Sequence, residues 1–300
     1  MEAVIVINRD KAGGASVEEP LRAAGIEGAV ELVDGRRIEE RVRFHVEGGA
    51  RLAVVGGGDG SVGAAASAIA GTDAALGILP LGTLNHFARD LGIPLDLAKA
   101  AELIAKGRTR AVDVAEVNGR TFVNNSAIGL YPLMVVDRDS QQHRLGRSKR
   151  LAMLVASLRT LSRFHDHRLT LTTGEGRSSL DTPLLFVGNN DYRVAVPGAG
   201  RREALDGAHL CVLVMRKKGV PGFLAATVRA LVGLIRDDDM VRLDDVERLR
   251  VDSRRPSLTV SIDGETCAMA PPLEYRIHPA ALRVRVAPAK EATRRAGSER

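Results

Sequence analysis

The sequence predicts an open α/β domain followed by a second domain that is mostly β. Up to about residue 117, short apolar runs typical of buried parallel strands alternate with segments of helical periodicity. After Asn118-Gly119, a dipeptide that favours a type I′ hairpin turn, strand-like segments predominate. We therefore expect an α/β domain over residues 1–116 and a β-rich domain over residues 117–280.

The α/β pattern can be followed element by element. Apolar runs predict strands, and amphipathic or Ala-rich stretches predict the helices between them. The predicted strands cover residues 3–8, 29–33, 52–55, 75–79 and 111–117. A turn is expected over residues 9–16, and the predicted helices cover residues 18–24, 38–47, 62–70, about 85 onward, and 94–106.

The β-rich part is predicted from alternating apolar and polar residues. Strands are expected over residues 120–125, 167–173, 182–188, 209–216, 248–252, 257–263 and 282–287. Two helices interrupt them, over residues 148–164 and 221–235. Residues 290–300 are charged and poor in apolar side chains, so a disordered tail is expected there.

The composition indicates a soluble protein with two domains. The chain has 300 residues, 45% of them hydrophobic, and no window of about 18 residues is free of charge, so no membrane span is expected. The N-terminus begins with a strand and has no basic region or cleavage site of a secretory signal. Cys211 and Cys267 lack metal-ligand spacing and are expected to be reduced. A cytoplasmic location follows.

The positive charge is concentrated in one segment. The net charge is +6, and residues 141–168 alone hold seven Lys and Arg against one Asp. Such a surface suits ATP or anionic lipid headgroups. Nucleic acid is the weakest candidate and is not expected as a partner, because aromatic residues are only 3% and no nucleic-acid-binding motif is present. The amphipathic stretch 148–164 fits either a helix packed on the core or one lying on a membrane.

Two glycine turns carry the strongest chemical signal. The first holds Gly57, Gly58, Asp59, Gly60 and Ser61 after a buried strand. The second holds Gly82, Thr83 and Asn85 after the next strand. Glycine allows a phosphate to approach the backbone, and a helix N-terminus that follows attracts an anion. We therefore expect two phosphate-binding turns side by side.

Neither turn matches a Walker A loop or the dinucleotide fingerprint, and one glycine-rich turn alone fits a plain βα turn equally well. Asp59 indicates that the first turn is a functional site and not only a plain βα turn. A carboxylate would repel a bare phosphate, so its place between glycines points to a metal ion or a hydroxyl proton as its partner.

Five motifs occur along the chain in the order of a known family. They are GGDGS (residues 57–61), PLGTLNHFARDLGIP (80–94), FVNNSAIGL (122–130), Asp206-Gly207 and DGE (263–265). In these motifs the sequence resembles the catalytic domain of the diacylglycerol kinase family. That family of lipid kinases includes sphingosine and ceramide kinases and is distantly related to NAD kinases.

The resemblance implies a fold and an activity. It implies a Rossmann-like, NAD-kinase-like nucleotide domain, to which residues 281–289 return, and a β-sandwich domain with helical insertions. It implies a bacterial ATP- and magnesium-dependent lipid kinase of phospholipid metabolism. The expected acceptor is a hydroxyl of a diacylglycerol-like or sphingoid lipid, reached at the inner face of the membrane.

The resemblance also implies roles for individual residues. Glu265 corresponds to the general base, with Asp263 beside it, while Asp59 and Asp113 correspond to metal-associated carboxylates. Asp206 lies where some members hold a second, structural metal, and a plain β-turn fits its loop equally well. Asn124, with Asn125 and Ser126, would border the acceptor. The predicted nucleotide-binding residues are Asn8, Lys11, Gly57, Gly58, Asp59, Gly60, Ser61, Gly82, Thr83 and Asn85.

The sequence departs from the family pattern at several positions. Arg9 replaces a proline, Ser61 replaces a threonine, and His86 replaces an aspartate of the metal network. Because imidazole is a poor magnesium ligand, His86 is expected to face the triphosphate or the acceptor instead, or simply to pack at the start of a helix.

Two other functions stay open on the sequence. One is a kinase of a soluble acceptor, as in NAD kinases, and the other is a nucleotide-binding regulatory protein whose chemistry has decayed. The sequence leaves the lipid, the adenine contacts and the oligomeric state open, with a homodimer formed at a sheet edge as one arrangement.

Overall fold

The computed structural model describes residues 1–12, 17–129, 166–192, 202, 204–216, 222 and 239–288. The helix predicted over residues 148–164 and the tail predicted over residues 290–300 lie outside the described residues. The helix predicted over residues 221–235 does so apart from Gly222. Among the helices of the described part, none is long and apolar enough to cross a bilayer.

The first half is an open, parallel α/β sheet, as predicted. Its strands lie in the spatial order β2-β1-β3-β4, and every residue of β3 and β4 is buried. The strands are β1 (Val4–Asn8), β2 (Val30–Val33), β3 (Leu52–Gly57) and β4 (Ala75–Pro80). The helices are α1 (Arg9–Ala12), α2 (Glu18–Ala23), α3 (Ile38–Glu47), α4 (Asp59–Ile69), α5 (His86–Asp90) and α6 (Leu97–Lys106).

Local capping explains where two of these helices begin. Asp34 accepts the Arg36 N–H at 2.8 Å and starts a short 3-10 turn that leads into α3. The Asp96 carboxylate accepts the Lys99 N–H at 2.9 Å, so α6 starts at Leu97 and not at residue 94 as predicted. The predicted turn over residues 9–16 is helical over its first four residues, since α1 follows β1 directly.

The second half is β-rich, as predicted, and its strands form two sheets. After β5 (Arg108–Val117), Asn118 and Gly119 have φ values of 46° and 81°, which is the predicted I′ turn into β6 (Arg120–Phe122). The remaining strands are β7 (Asn125–Gly129), β8 (His167–Thr173), β9 (Gly176–Thr182), β10 (Leu184–Asn189), β11 (Leu210–Met215), β12 (Met240–Val246), β13 (Arg248–Ser253), β14 (Leu258–Ile262), β15 (Glu265–Met269) and β16 (Leu273–Val286).

The two sheets differ in how they relate to the α/β half. One continues the parallel sheet in the order β2-β1-β3-β4-β16-β13-β8-β9, and the other has the order β12-β11-β10-β7-β14-β15. Side chains from both pack into one cluster that includes Leu169, Tyr275, Val187 and Val260. The predicted strand over residues 120–125 was wrong, because β6 ends at Phe122 and β7 begins at Asn125.

Strand β16 joins the two halves. Its Tyr275 side chain lies in the β-rich core, while Val284 lies in the α/β core. Along its length it pairs antiparallel with β5, and Arg283 pairs in parallel with Ala75 of β4. The chain therefore returns to the first sheet through β16.

Candidate active site between the glycine turns and the second sheet

The first glycine turn connects β3 with α4. A β-carbon on Gly57 would lie 2.3 Å from the Cβ of Ser61, so a larger residue does not fit there. The Gly57 carbonyl accepts the Leu81 N–H at 2.9 Å, which joins this turn to the end of β4. The first glycine turn is thereby packed closely at the start of α4, where the N-terminal N–H groups favour an anion.

The second glycine turn lies directly against the first. A β-carbon on Gly82 would lie 2.4 Å from the Cα of Gly58. Asn85 has a left-handed backbone (φ 50°), and its side chain accepts the Gly82 N–H at 3.0 Å and donates to the Gly82 carbonyl at 2.7 Å. Asn85 thus shapes the turn, and the neighbouring Thr83 and His86 are exposed.

Asn8 ties the end of β1 to the same place. Its Nδ2 donates to Ser61 Oγ at 2.9 Å, and its Oδ1 accepts the Asp10 N–H at 3.0 Å. Asn8 is therefore joined to the first glycine turn. Lys11 is exposed on α1 and has no such anchor among the described contacts.

Asp59 is oriented by the second turn. Its Oδ1 accepts the backbone N–H of Phe87, in the first turn of α5, at 3.1 Å. The bond fixes the carboxylate between the two glycine turns. The position of the Asp59 carboxylate therefore depends on the position of α5.

The hairpin turn between β14 and β15 packs against the first turns of α4. Its residues Asp263 and Gly264 have φ values of 47° and 88°, and Glu265 follows directly. Glu265 Oε1 is 2.8 Å from the point where a β-carbon on Gly60 would lie. Asp263 Oδ2 is 2.9 Å from the equivalent point on Gly63. The turn can approach α4 this closely only because both positions are glycine.

Asp263 is a structural anchor for its neighbours. Its carboxylate accepts the backbone N–H groups of Val123, Asn124 and Asn125 at 2.9, 2.8 and 3.1 Å. Burial raises the pKa of this carboxyl to about 6, although the three N–H donors and Arg202 favour the charged form. Asp263 therefore holds the turn that presents Glu265.

A cleft of about 770 Å³ extends from these residues. Asn8, Gly60 and Ser61 line one end, and Glu265 faces them from the β-rich half. Gly35 and Arg36, which follow β2, line it further along. The cleft thus brings together residues that are more than 200 positions apart in the sequence.

The structure does not gather the three predicted metal carboxylates. Asp113 is 2% exposed, and its two oxygens accept the N–H groups of Ala208 and Ala280 at 2.7 and 2.8 Å. Asp206 pairs with Arg110 at 2.9 Å. Within the part of the chain that the structure describes, no group of three or more His, Cys, Asp or Glu residues could hold a metal ion. Asp113 is thus bonded to backbone N–H groups and Asp206 to Arg110, and of the three only Asp59 lies at the glycine turns.

Arg202 belongs to the candidate site but is not among the residues predicted from the sequence. Its side chain is 0% exposed and pairs with Asp90, the last residue of α5, at 2.8 Å. It also donates to Asn124 Oδ1 at 3.1 Å, and this bond takes up the amide that was expected to border the acceptor. The sequence signal was only an Arg-Arg pair in a loop, and both partners are distant along the chain.

Comparisons with known proteins agree with this architecture. Residues 5–117 match the family model described as diacylglycerol kinase catalytic domain. A protein from Pseudomonas savastanoi pv. phaseolicola named probable lipid kinase YegS-like is 32% identical over 267 residues, covering 85% of this chain and 81% of its own. One of the same name from Enterobacter sp. (strain 638) is 37% identical over 140 residues, 43% of this chain and 46% of its own.

A solved structure has the same fold. A crystal structure of a diacylglycerol kinase candidate from Bacillus anthracis str. Sterne superposes with a TM-score of 0.73 at 22% identity, covering 96% of this chain and 98% of that one. The family model and the relatives together define the class of protein as a kinase. The chain belongs to the diacylglycerol kinase family, among its bacterial YegS-like members.

Proposed function

We propose that this kinase transfers the γ-phosphoryl group of ATP, with magnesium, to a hydroxyl of a diacylglycerol-like or sphingoid lipid. The observation that carries the proposal is the position of Glu265. Its carboxylate approaches the first glycine turn at Gly60, in the first turn of α4. A base in this position can take the acceptor's proton at the point where the γ-phosphate is presented.

The phosphate cradle is supported by the close packing of the two glycine turns at the N-terminus of α4. Side chains at Gly57 or Gly82 would collide with Ser61 or Gly58, and the α4 N-terminus that they border favours an anion. In our assignment the β- and γ-phosphates lie along the two turns. Asn8 orients the Ser61 hydroxyl there through the bond at 2.9 Å.

Magnesium fits this site through Asp59. Since Mg²⁺ is usually held by one or two carboxylates together with substrate phosphates and water, a single well-oriented carboxylate is compatible with its binding. The ion would neutralise charge that develops on the phosphates during transfer. We assign no magnesium to Asp113, because it is buried and its oxygens already accept the Ala208 and Ala280 N–H groups.

The lipid acceptor is supported by the relatives named lipid kinases. We infer that the acceptor hydroxyl enters from the β-rich side, next to Glu265, and that the enzyme works at the membrane surface. Glu265 then moves the hydroxyl proton, Asp59 stays oriented by the Phe87 N–H, and the glycine turns hold the phosphates.

The test is transfer of radiolabelled phosphate from ATP to dioleoylglycerol, sphingosine, ceramide and NAD, each offered separately with magnesium. Wild type is compared with Glu265→Gln and with a control, Glu175→Gln, in the turn between β8 and β9. We expect transfer to a lipid that falls by at least 100-fold in Glu265→Gln with ATP affinity retained, as for a lost general base. Transfer to NAD alone, or ATP binding without transfer, would overturn the proposal in favour of a soluble acceptor or a regulatory role.

A further inference from the structure

Arg202 is a fully buried cation that is bonded to both halves of the molecule. Its backbone forms an isolated bridge with Tyr192, and its guanidinium has partners on every side. The Nε donates to Asp90, while the two terminal nitrogens donate to the Val123 carbonyl and to Asn124 Oδ1. The rings of Phe87 and Tyr192 lie 5.3 and 5.6 Å from its central carbon.

On the α/β side, these contacts lead to Asp59. Arg202 holds α5 at both ends, through the Asp90 carboxylate and the face of the Phe87 ring. The backbone N–H of that same Phe87 is the donor that orients Asp59 Oδ1 at 3.1 Å. A shift of α5 would therefore move the Asp59 carboxylate.

On the β-rich side, the contacts lead to Glu265. Val123 and Asn124, whose oxygens accept from Arg202, donate their own backbone N–H groups to Asp263. Asp263 begins the tight turn that presents Glu265 to Gly60. A shift of residues 123–125 would therefore move the Glu265 carboxylate.

We propose that Arg202 is the positioning residue that sets the separation of Asp59 and Glu265 across the cleft. It touches neither of them and acts through Phe87 on one side and Asp263 on the other. The consequence for catalysis rests on the function proposed above, whereas the mechanical coupling of the two segments does not. This role differs from the two expected for this loop, which were a structural metal site at Asp206 and a plain β-turn.

The chemistry of the site explains why it needs an arginine. A planar guanidinium donates in several fixed directions at once and stacks on aromatic faces, which the single ammonium of lysine cannot do. Its charge is balanced by Asp90, whose side chain is 13% exposed, so the ion pair lies almost entirely out of water. A lysine at position 202 would keep the positive charge, but its single ammonium would bind only one of the two halves and not both.

The experiment is a double-mutant cycle on phosphoryl transfer. Arg202→Lys is made in wild type and in Glu265→Gln, and kcat and the KM for ATP are measured with dioleoylglycerol, or with sphingosine where only sphingosine is phosphorylated. We expect kcat to fall roughly 10- to 100-fold, as for a misplacement of about 1 Å, with the KM for ATP changed less than about threefold. In the Glu265→Gln background, we expect Arg202→Lys to reduce kcat by a factor that is at least about threefold smaller than its factor in wild type.

The control is Arg250→Lys. Arg250 bridges Asp252 and Glu274 at the surface, so its replacement should leave kcat unchanged. All variants are compared at a temperature where circular dichroism shows them folded. Equal fold-losses of kcat in both backgrounds would mean that Arg202 does not act through Glu265, and the proposal would be wrong.

Amide hydrogen exchange supplies a readout that does not need an acceptor. We expect Arg202→Lys to speed exchange in peptides that contain Phe87 and in those that contain residues 123–125, and Arg250→Lys to leave both unchanged. Unchanged exchange in either segment overturns the proposed coupling. A wild type that phosphorylates no acceptor overturns the proposed function and the catalytic role, while the exchange result still decides the coupling.

Discussion

The side-chain amide of Asn8 donates to the hydroxyl of Ser61 across 53 positions of the sequence, and the bond is buried. It joins the carboxyl end of β1 to the first turn of α4, where the phosphate cradle is proposed. The two glycine turns are thus braced from a third element, and the hydroxyl of Ser61 is held in one direction before any ligand binds.

The first prediction concerns this bond. Ser61→Ala leaves the Asn8 amide, in a residue only 8% exposed, without its acceptor, and we expect a loss of about 1–2 kcal/mol in the free energy of unfolding. Urea denaturation measures it. Ser179→Ala removes an exposed hydroxyl bond to Thr170 and should cost less than about 0.5 kcal/mol. Equal losses in the two variants would contradict the role of the Asn8 bond.

The second prediction concerns contact between the turns. In Gly82→Ala, the new methyl group meets the Gly58 backbone at 2.4 Å, so the two turns must separate. We expect ATP affinity to fall at least about tenfold, which corresponds to about 1.4 kcal/mol, as measured by isothermal titration calorimetry. Gly174→Ala has open space around its β-carbon and should leave the affinity unchanged. Normal ATP binding by Gly82→Ala would remove the second turn from the phosphate site.

The third prediction separates two roles of Asp113. Asp113 anchors the Ala208 and Ala280 N–H groups. Its replacement by alanine should reduce the free energy of unfolding by roughly 2–4 kcal/mol, because two buried donors lose their acceptor. Asp206→Ala breaks a largely exposed pair with Arg110 and should cost no more than about 1 kcal/mol. The loss for Asp113→Ala should be the same with EDTA as with magnesium. A loss that requires magnesium would restore the metal-ligand role.

The fourth prediction concerns pH. Because burial raises the pKa of Asp263 to about 6, the folded protein binds this proton more tightly than the unfolded chain, whose pKa is near 3.8. The stability from this group is complete below about pH 4 and is lost as the pH rises to about 6, which amounts to roughly 2–3 kcal/mol. Asp263→Asn should lack this decline. Urea denaturation of both proteins from pH 4 to pH 7 measures the difference, and parallel curves would contradict it.

The parts of the fold that depend on local pattern were predicted well. Strand β8 and helix α3 occupy the predicted residues, since their periodicity and flanking turns are strong. Strands β9, β12 and β15 were not predicted, because exposed polar and charged residues interrupt their apolar pattern. Their strand conformation is stabilised by pairing with β8, β11 and β14.

In the candidate site, too, the features with a local sequence pattern could be predicted and the others could not. The glycine turns and the Asp263-Gly264 turn carry local signals, and the structure contains all of these turns. The partners of Asp113 and Arg202 could not be predicted, because they are backbone groups and side chains brought near only by the tertiary fold. A buried Arg and an exposed one look alike in a single sequence.

The path of β16 has a consequence for how the protein is made. The edge of β4 and strand β5 pair with residues 275–286, which are translated long after both strands. Until then the nascent nucleotide domain lacks its neighbouring strand and carries an open, apolar sheet edge. The first domain therefore cannot complete its folding ahead of the second, and the kinase becomes competent only after β16 has been translated.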